Sequence, residues 1–188
     1  MEFISEKIIK LDRELSDLDK FALDFIKIIK KYSDYVIVSG YVSILLGRSR
    51  ASEDIDILVE KIDRKKFKLF LKELNKNNFY CLNSKDPEDI YDYLKNKLAV
   101  RFAKNDTVIP NMELKFLKTY FDRVTIDNKI KVSINNQEIN ISKLEVQVAF
   151  KEKVLKSPKD IEDARHIRNI SNLDEELINK YKEMLNEI

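Results

Sequence analysis

Glycine is nearly absent from this chain. Only Gly40 and Gly47 occur in 188 residues, where average usage of about 7% would supply on the order of 13. Whatever needs a backbone without a Cβ is therefore confined to one short stretch. Cysteine is scarcer still: Cys81 stands alone, so no internal disulfide can form and nothing calls for an oxidising compartment. His166 is the single histidine. One His and one Cys argue against a zinc site, and His166 reads as a packed or surface residue. No apolar run approaches the roughly 20 residues of a spanning helix. The opening Met1-Glu2-Phe3-Ile4-Ser5-Glu6-Lys7 lacks the apolar region of a signal peptide. A cytoplasmic protein with no membrane partner is the expectation. A one-signed charge excess is missing too. The net charge of +2 is too small to argue for nucleic-acid binding by itself, and Lys and Arg are interleaved with Asp and Glu throughout.

What is present describes a folded domain. Hydrophobic residues make up 44% and charged residues 36%, which excludes a disordered chain, and the length suffices to bury a core. Helical spacing of Ile4, Ile8, Leu11, Leu15 and Leu18, then of Phe21, Phe25 and Ile28, predicts helix up to about Tyr32, with Ser16-Asp17 as a cap that could divide it in two. Tyr35–Val38 reads as a buried strand, Val42–Leu46 as helix and the alternating Asp54–Val59 as a second strand. Arg64–Asn75 is an amphipathic helix, Phe79–Cys81 a short strand, and Asp86-Pro87 opens a helix to about Lys95. Strands are expected at Leu98–Ala103 and Asn111–Leu117, and a hairpin at Ile130–Ile141 around Asn135-Asn136. Ser142-Lys-Leu-Glu145 fits a capping box, Ser157-Pro158 restarts a helix, and Asn172-Leu-Asp-Glu begins the last one. The pattern is mixed α and β with a helical C-terminal third.

Chemistry concentrates after the first glycine. On a strand, Asp54 and Asp56 point to one face about 6.5–7 Å apart, a spacing able to hold two divalent ions of the kind that sit roughly 3.5–4 Å apart in phosphoryl-transfer sites. A half-exposed strand with its acids outside has the same pattern. Val38-Ser39-Gly40 turns from strand to helix, a place where free backbone N–H groups and a helix N-terminus bind phosphate. A strand-turn-helix without ligand fits equally. Arg48, Arg50 and Ser52 add two cations and a donor just before the acids.

Together, Ser39-Gly40, Gly47-Arg48-Ser-Arg50-Ala-Ser52-Glu-Asp54-Ile-Asp56 resemble the signature of the polymerase-β-like nucleotidyltransferases. The run looks most like the small prokaryotic branch that includes the AbiEii-type toxins, with Ser39 standing where the signature has its first glycine. The resemblance covers about residues 35 to 166, most strongly 38–59. It implies an α+β (mixed α/β) nucleotidyltransferase fold, a mixed β-sheet flanked by helices, with a core over 1–141 and C-terminal helices over 142–188 packed on it. It also implies a third carboxylate on a later strand. Glu113, in Met112-Glu113-Leu114, has the right form; Asp106 looks like turn chemistry, and Glu113 could also be a plain surface acid. Phe150-Lys151 and Lys159-Asp160-Ile-Glu-Asp163 resemble the family's later Lys and Lys-Asp-x-x-Asp pattern, in which the lysine approaches the triphosphate and the acids orient it or brace the domain; ordinary helix capping also accounts for Lys159-Asp160.

The activity this implies is transfer of a nucleoside monophosphate from an NTP to an acceptor hydroxyl. Asp54, Asp56 and Glu113 would hold two Mg²⁺ ions, with Glu113 also helping to remove the acceptor's proton. Ser39, Gly40, Arg48, Arg50, Ser52, Lys151, Asp160 and Asp163 would form the nucleotide side. The acceptor would be a protein or RNA, and a cognate antitoxin or other partner protein would fit a toxin–antitoxin or defence pair. The competing expectation is a catalytically inactive nucleotide-binding or partner-binding protein of the same fold.

Overall fold

The computed structural model describes residues 1–187. Its strands are β1 (Glu2–Ser5), β2 (Ile8–Leu11), β3 (Tyr35–Val38), β4 (Asp54–Val59), β5 (Phe79–Cys81), β6 (Val100–Lys104), β7 (Asn111–Phe116), β8 (Ile130–Ile134) and β9 (Gln137–Ile141). They form one mixed nine-stranded sheet in the order β1-β2-β8-β9-β3-β4-β7-β6-β5. The helices are α1 (Asp17–Ile29), α2 (Gly40–Leu45), α3 (Arg64–Lys76), α4 (Pro87–Lys95), α5 (Tyr120–Asp127), α6 (Leu144–Phe150), α7 (Pro158–Ile170) and α8 (Glu175–Met184), with a π-helical turn at Lys151–Leu155.

Aromatic side chains organise one face of the sheet. Phe25 of α1 packs edge-on against Phe70 of α3 and Phe79 of β5, and Phe67 meets Tyr91 of α4 and Phe116 of β7. Pairs of this geometry contribute about 0.5–1.5 kcal/mol beyond their buried area. The opposite face carries a smaller cluster, Val36 of β3, Leu58 of β4 and Ile126 of α5. Helix α5 lies against β3 and β4 there, while its Phe121 packs against Phe150 and Tyr181. Of the C-terminal helices, α6 packs against α8, and α7 against α2.

Most expected elements are present, with three corrections. The helix expected before Ser16 is instead the β1–β2 hairpin. Ile9 and Leu11 are buried while Ile8 and Lys10 are exposed, a two-residue period, and β2 runs parallel to β8 with Ile8 opposite Lys131 and Leu11 opposite Ile134. A partner strand more than a hundred residues away decided the conformation. Helix α5 was not expected. Its start is a Thr119–Asp122 capping box, disguised by Phe121, Val124, Thr125 and Ile126, which favour strands. The capping box expected at Ser142–Glu145 does not form: Lys143 is the N-cap residue without a side-chain bond, and the Ser142 hydroxyl accepts instead from the Gln147 amide. At Ser16 the expected cap is real and closes a full box with Asp19.

Candidate functional site

Strand β4 alternates strictly. Ile55, Ile57 and Val59 are fully buried in the main core, so Asp54 and Asp56 lie on the other face. The parallel neighbour β7 repeats the pattern, with Met112, Leu114 and Phe116 in that core and Asn111, Glu113 and Lys115 on the face of the aspartates. In register, Asp54 stands opposite Asn111 and Asp56 opposite Glu113, strands about 4.8 Å apart. The three acids singled out in the sequence are thus brought to one patch. Asp106 is not among them; it occupies the β6–β7 turn with φ 62°.

Lys115 was missed, although its place two residues beyond Glu113 sets it on the same face. Its Nζ lies 2.8 Å from Asp56 Oδ1 and 2.6 Å from Glu113 Oε1. Arg101, opposite Glu113 on β6, donates Nε to Glu113 Oε2 at 2.9 Å. Both oxygens of Glu113 are therefore engaged. Burial would raise the Glu113 carboxyl, but the Lys115 and Arg101 contacts outweigh it and hold the group below its ordinary range. For Asp56 burial wins: its carboxyl is pushed up despite Lys115, with Glu113 and Asp54 adding to the rise. Burial works against the Lys115 ammonium, yet Asp56 and Glu113 together raise it.

Asp54 is different. Its backbone oxygen accepts from the Ser52 hydroxyl at 2.9 Å; among the described residues no partner takes its carboxylate. Ser52, expected beside a nucleotide, thus steadies the start of β4. Asn111, next to Asp54, keeps a buried amide oxygen with no donor.

The donor set tests the expected pair of magnesium ions. The Asp54 carboxylate, the Asp56 oxygen not held by Lys115 and the Asn111 amide oxygen are hard oxygen donors, of the kind Mg²⁺ takes alongside water and substrate phosphate. They fit one ion. Glu113 has no oxygen left for a second, and among the described residues no group of three or more His, Cys, Asp or Glu is arranged around a common ion position.

Beside the acids, Ser39 leaves β3 with φ 65° and ψ −139°, a backbone region that only glycine enters cheaply. The Ser39 side chain makes no capping bond. Gly40 has a different reason to be small: a Cβ there would lie 2.9 Å from Arg50 Nη2, so the guanidinium rests on the turn itself. Gly47, with φ 99°, ends α2 in the left-handed region. Since α2 has only six residues, any affinity of the turn for anions rests on its own amides and on Arg50 rather than on a helix dipole.

Arg48, Arg50, Lys151, Asp160 and Asp163 do come together, with Lys151, Asp160 and Asp163 buried and the two arginines partly exposed at the edge of the cluster. Arg50 Nη1 and Lys151 Nζ each lie 2.7 Å from Asp163 Oδ2, and Arg48 pairs with the other Asp163 oxygen. Lys151 also reaches Asp160 Oδ1 at 3.3 Å, and Ser157 donates to Asp160. The side chains of Lys151 and Asp163 are 0% exposed. Lys151 therefore has no open path to a triphosphate, contrary to the position expected for it, and the acids are saturated by side chains. Burial pushes the Lys151 ammonium down, with Arg50 and Arg48 adding and Asp160 opposing. Burial would raise Asp160, but Ser157 and Lys151 hold it below its ordinary value. His166 packs with Nε2 3.2 Å from the Leu46 carbonyl oxygen, as a structural residue.

A cleft of about 490 Å³ opens at the patch, its walls joining Ser39, Asp56 and Lys115 with apolar Phe121, Phe150, Val154 and Leu155. The Phe121 and Phe150 rings stack 6.0 Å apart, and the π-helical turn carries Val154 and Leu155. Clefts of this size with apolar walls and few polar groups are the usual form of small-molecule sites.

This architecture is the nucleotidyltransferase fold. An antigenic nucleotidyltransferase-like protein from Paracoccidioides brasiliensis matches with TM-score 0.53 and 16% identity over 92% of this chain and 89% of its own. The antibiotic-resistance factor ANT(2'')-Ia matches with TM-score 0.54 and 13% identity over 92% of this chain and 94% of its own. The lincosamide antibiotic adenylyltransferase LnuA, solved with lincomycin bound, matches with TM-score 0.52 and 14% identity over 85% of this chain and 100% of its own. No protein-family model matches the chain, and no curated protein sequence matches it significantly. Among the described residues, no helix is long and apolar enough to cross a membrane.

Proposed function

We propose that this protein is a Mg²⁺-dependent nucleotidyltransferase that moves a nucleoside monophosphate from an NTP to an acceptor hydroxyl. One observation carries the proposal: Asp54 and Asp56 share one face of a sheet of this fold, Glu113 is in register beside Asp56, and the cleft joins Asp56 and Lys115 to the Ser39 turn. In the reaction, the acceptor oxygen bonds to the α-phosphorus as the bond from phosphorus to the α–β bridging oxygen breaks. Pyrophosphate leaves with that electron pair, and the hydroxyl proton passes to solvent at the open side of the cleft.

Asp54 and Asp56 would hold the ion, which when bound supplies charge neutralisation on the phosphates. The amides of the Ser39-Gly40 turn, the Ser39 hydroxyl and Arg50 receive the outer phosphates. Glu113, held at both oxygens, acts as the partner of Lys115 rather than as a free base. Lys151, Asp160 and Asp163 are positioning residues: they tie Arg48 and Arg50, and through Arg50 the turn, to α7. The apolar walls receive the base or a flat part of the acceptor. Relatives of the fold act on small antibiotics; ANT(2'')-Ia has been solved with adenylyl-2''-tobramycin. A protein or RNA hydroxyl remains the acceptor proposed here, with a toxin–antitoxin or defence pair as its setting.

Incubation of the pure chain with each α-labelled NTP, Mg²⁺ and cell extract tests this. Label transfer that disappears in the Asp54→Ala, Asp56→Ala double variant supports it. The engagement of Glu113 by Lys115 and Arg101 favours a second reading, a nucleotide-binding protein without turnover, and NTP binding with no label transfer to any extract component would establish that instead.

A further inference from the structure

We propose that the Lys115 ammonium occupies the position of the second divalent ion, so that this site takes one metal ion rather than two. The inference rests on the nucleotidyltransferase reading and goes beyond it by assigning a residue to the charge that a second ion would supply.

The geometry places a cation where two acids of adjacent strands converge. Asp56 and Glu113 are partners in register, and carboxylates side by side at that spacing repel unless a positive charge lies between them. Lys115 Nζ is that charge, within 2.8 Å of one and 2.6 Å of the other. Arg101 takes the second oxygen of Glu113 at 2.7 Å, so each oxygen of that carboxylate already has a cationic partner. The oxygens that remain lie on the side of Asp54. The Asn111 amide oxygen is among them, buried without a donor in a residue that is 6% exposed, and a buried acceptor of this kind implies a missing partner. The site is therefore asymmetric: unpaired oxygen donors at Asp54 and Asn111, and a resident ammonium between Asp56 and Glu113. A lysine neutralises one charge where a divalent ion would neutralise two, and it cannot leave with product.

Mn²⁺ can be counted directly. The full chain is titrated with Mn²⁺ in the presence of each α,β-methylene nucleoside triphosphate in turn, and electron paramagnetic resonance reads both the bound ions per chain and the exchange coupling that two ions a few ångströms apart would show. The parent is expected to hold one Mn²⁺ with an uncoupled spectrum, as is Lys115→Arg, which keeps the charge. Lys115→Met, of similar length without charge, is expected to bind a second ion and show a coupled spectrum. A coupled pair in the parent overturns the inference and leaves the nucleotidyltransferase reading standing, as does a Lys115→Met protein that folds and stays at one ion. Absence of nucleotide-dependent Mn²⁺ binding in the parent overturns both. Should Lys115→Met fail to fold, the ion count and coupling of the parent and of Lys115→Arg still decide.

Discussion

Replacing Asp163 with Asn keeps the shape of the side chain and deletes one charge where Arg48, Arg50 and Lys151 converge. Neither Asp163 nor Lys151 has any side-chain exposure, so water cannot take over their lost contact, whereas Arg48 and Arg50 keep partial access to it. Breaking a buried pair from one side costs about 3–5 kcal/mol. Asp160 still faces Lys151 at 3.3 Å, which places the expected loss near the lower end, about 3 kcal/mol. That is a large part of a domain stability of roughly 5–15 kcal/mol. With a urea m value of about 2 kcal/mol/M, the midpoint should fall by about 1.5 M while m stays constant. Far-UV circular dichroism and tyrosine fluorescence both report the transition, the chain having no tryptophan. The control is Glu162→Gln on the outer face of α7, whose exposed pairing with Arg165 should leave the midpoint almost unmoved. An Asp163→Asn midpoint within about 0.5 M of the parent would refute the view that this cluster braces the turn to α7.

Ser39→Gly removes the side chain from a left-handed backbone position. Strain of about 1–3 kcal/mol is relieved against an unfolded-state cost of about 0.4–1 kcal/mol, so calorimetry should show Tm rising by about 2–4 °C; a lower Tm would show that the hydroxyl is worth more than the strain. Asp19 is fully buried and accepts from Arg13 at 2.6 Å and from Tyr41 Oη and Ser16 Oγ at 2.7 Å. Burial would raise its carboxyl, but these donors outweigh it and hold it low. Folded Asp19 thus binds fewer protons than unfolded Asp19, so its contribution is complete above about pH 4 and lost as pH falls through the depressed folded value. Urea midpoints followed from neutral pH down to about pH 2 should therefore be flatter for Asp19→Asn, and an acid limb identical to the parent's would sink this assignment.

What could be seen in the residues alone was local. The alternation of Asp54–Val59 and the scarcity of glycine led to the turn and the two aspartates, because strand period and the need for a missing Cβ are properties of neighbouring residues. Amphipathic α3 and the Pro87 start of α4 were legible for the same reason. The β1–β2 hairpin was not, since Ile4, Ile8 and Leu11 suit a helix as well as a strand until β8 offers an edge. The site divides along the same line. Sequence pattern placed Asp54, Asp56 and Glu113 each on a polar strand face, yet only the β4–β7 register sets Glu113 beside Asp56 and drops Lys115 between them. Nor does any local rule say that Lys151 and Asp163 lie inside rather than along the cleft. Burial depends on which helices pack over them, and that depends on contacts between segments about a hundred residues apart, such as Arg48 and Asp163. Local chemistry determined which side chains could act on a phosphate; tertiary packing decided which of them face the cleft and which hold the turn in place.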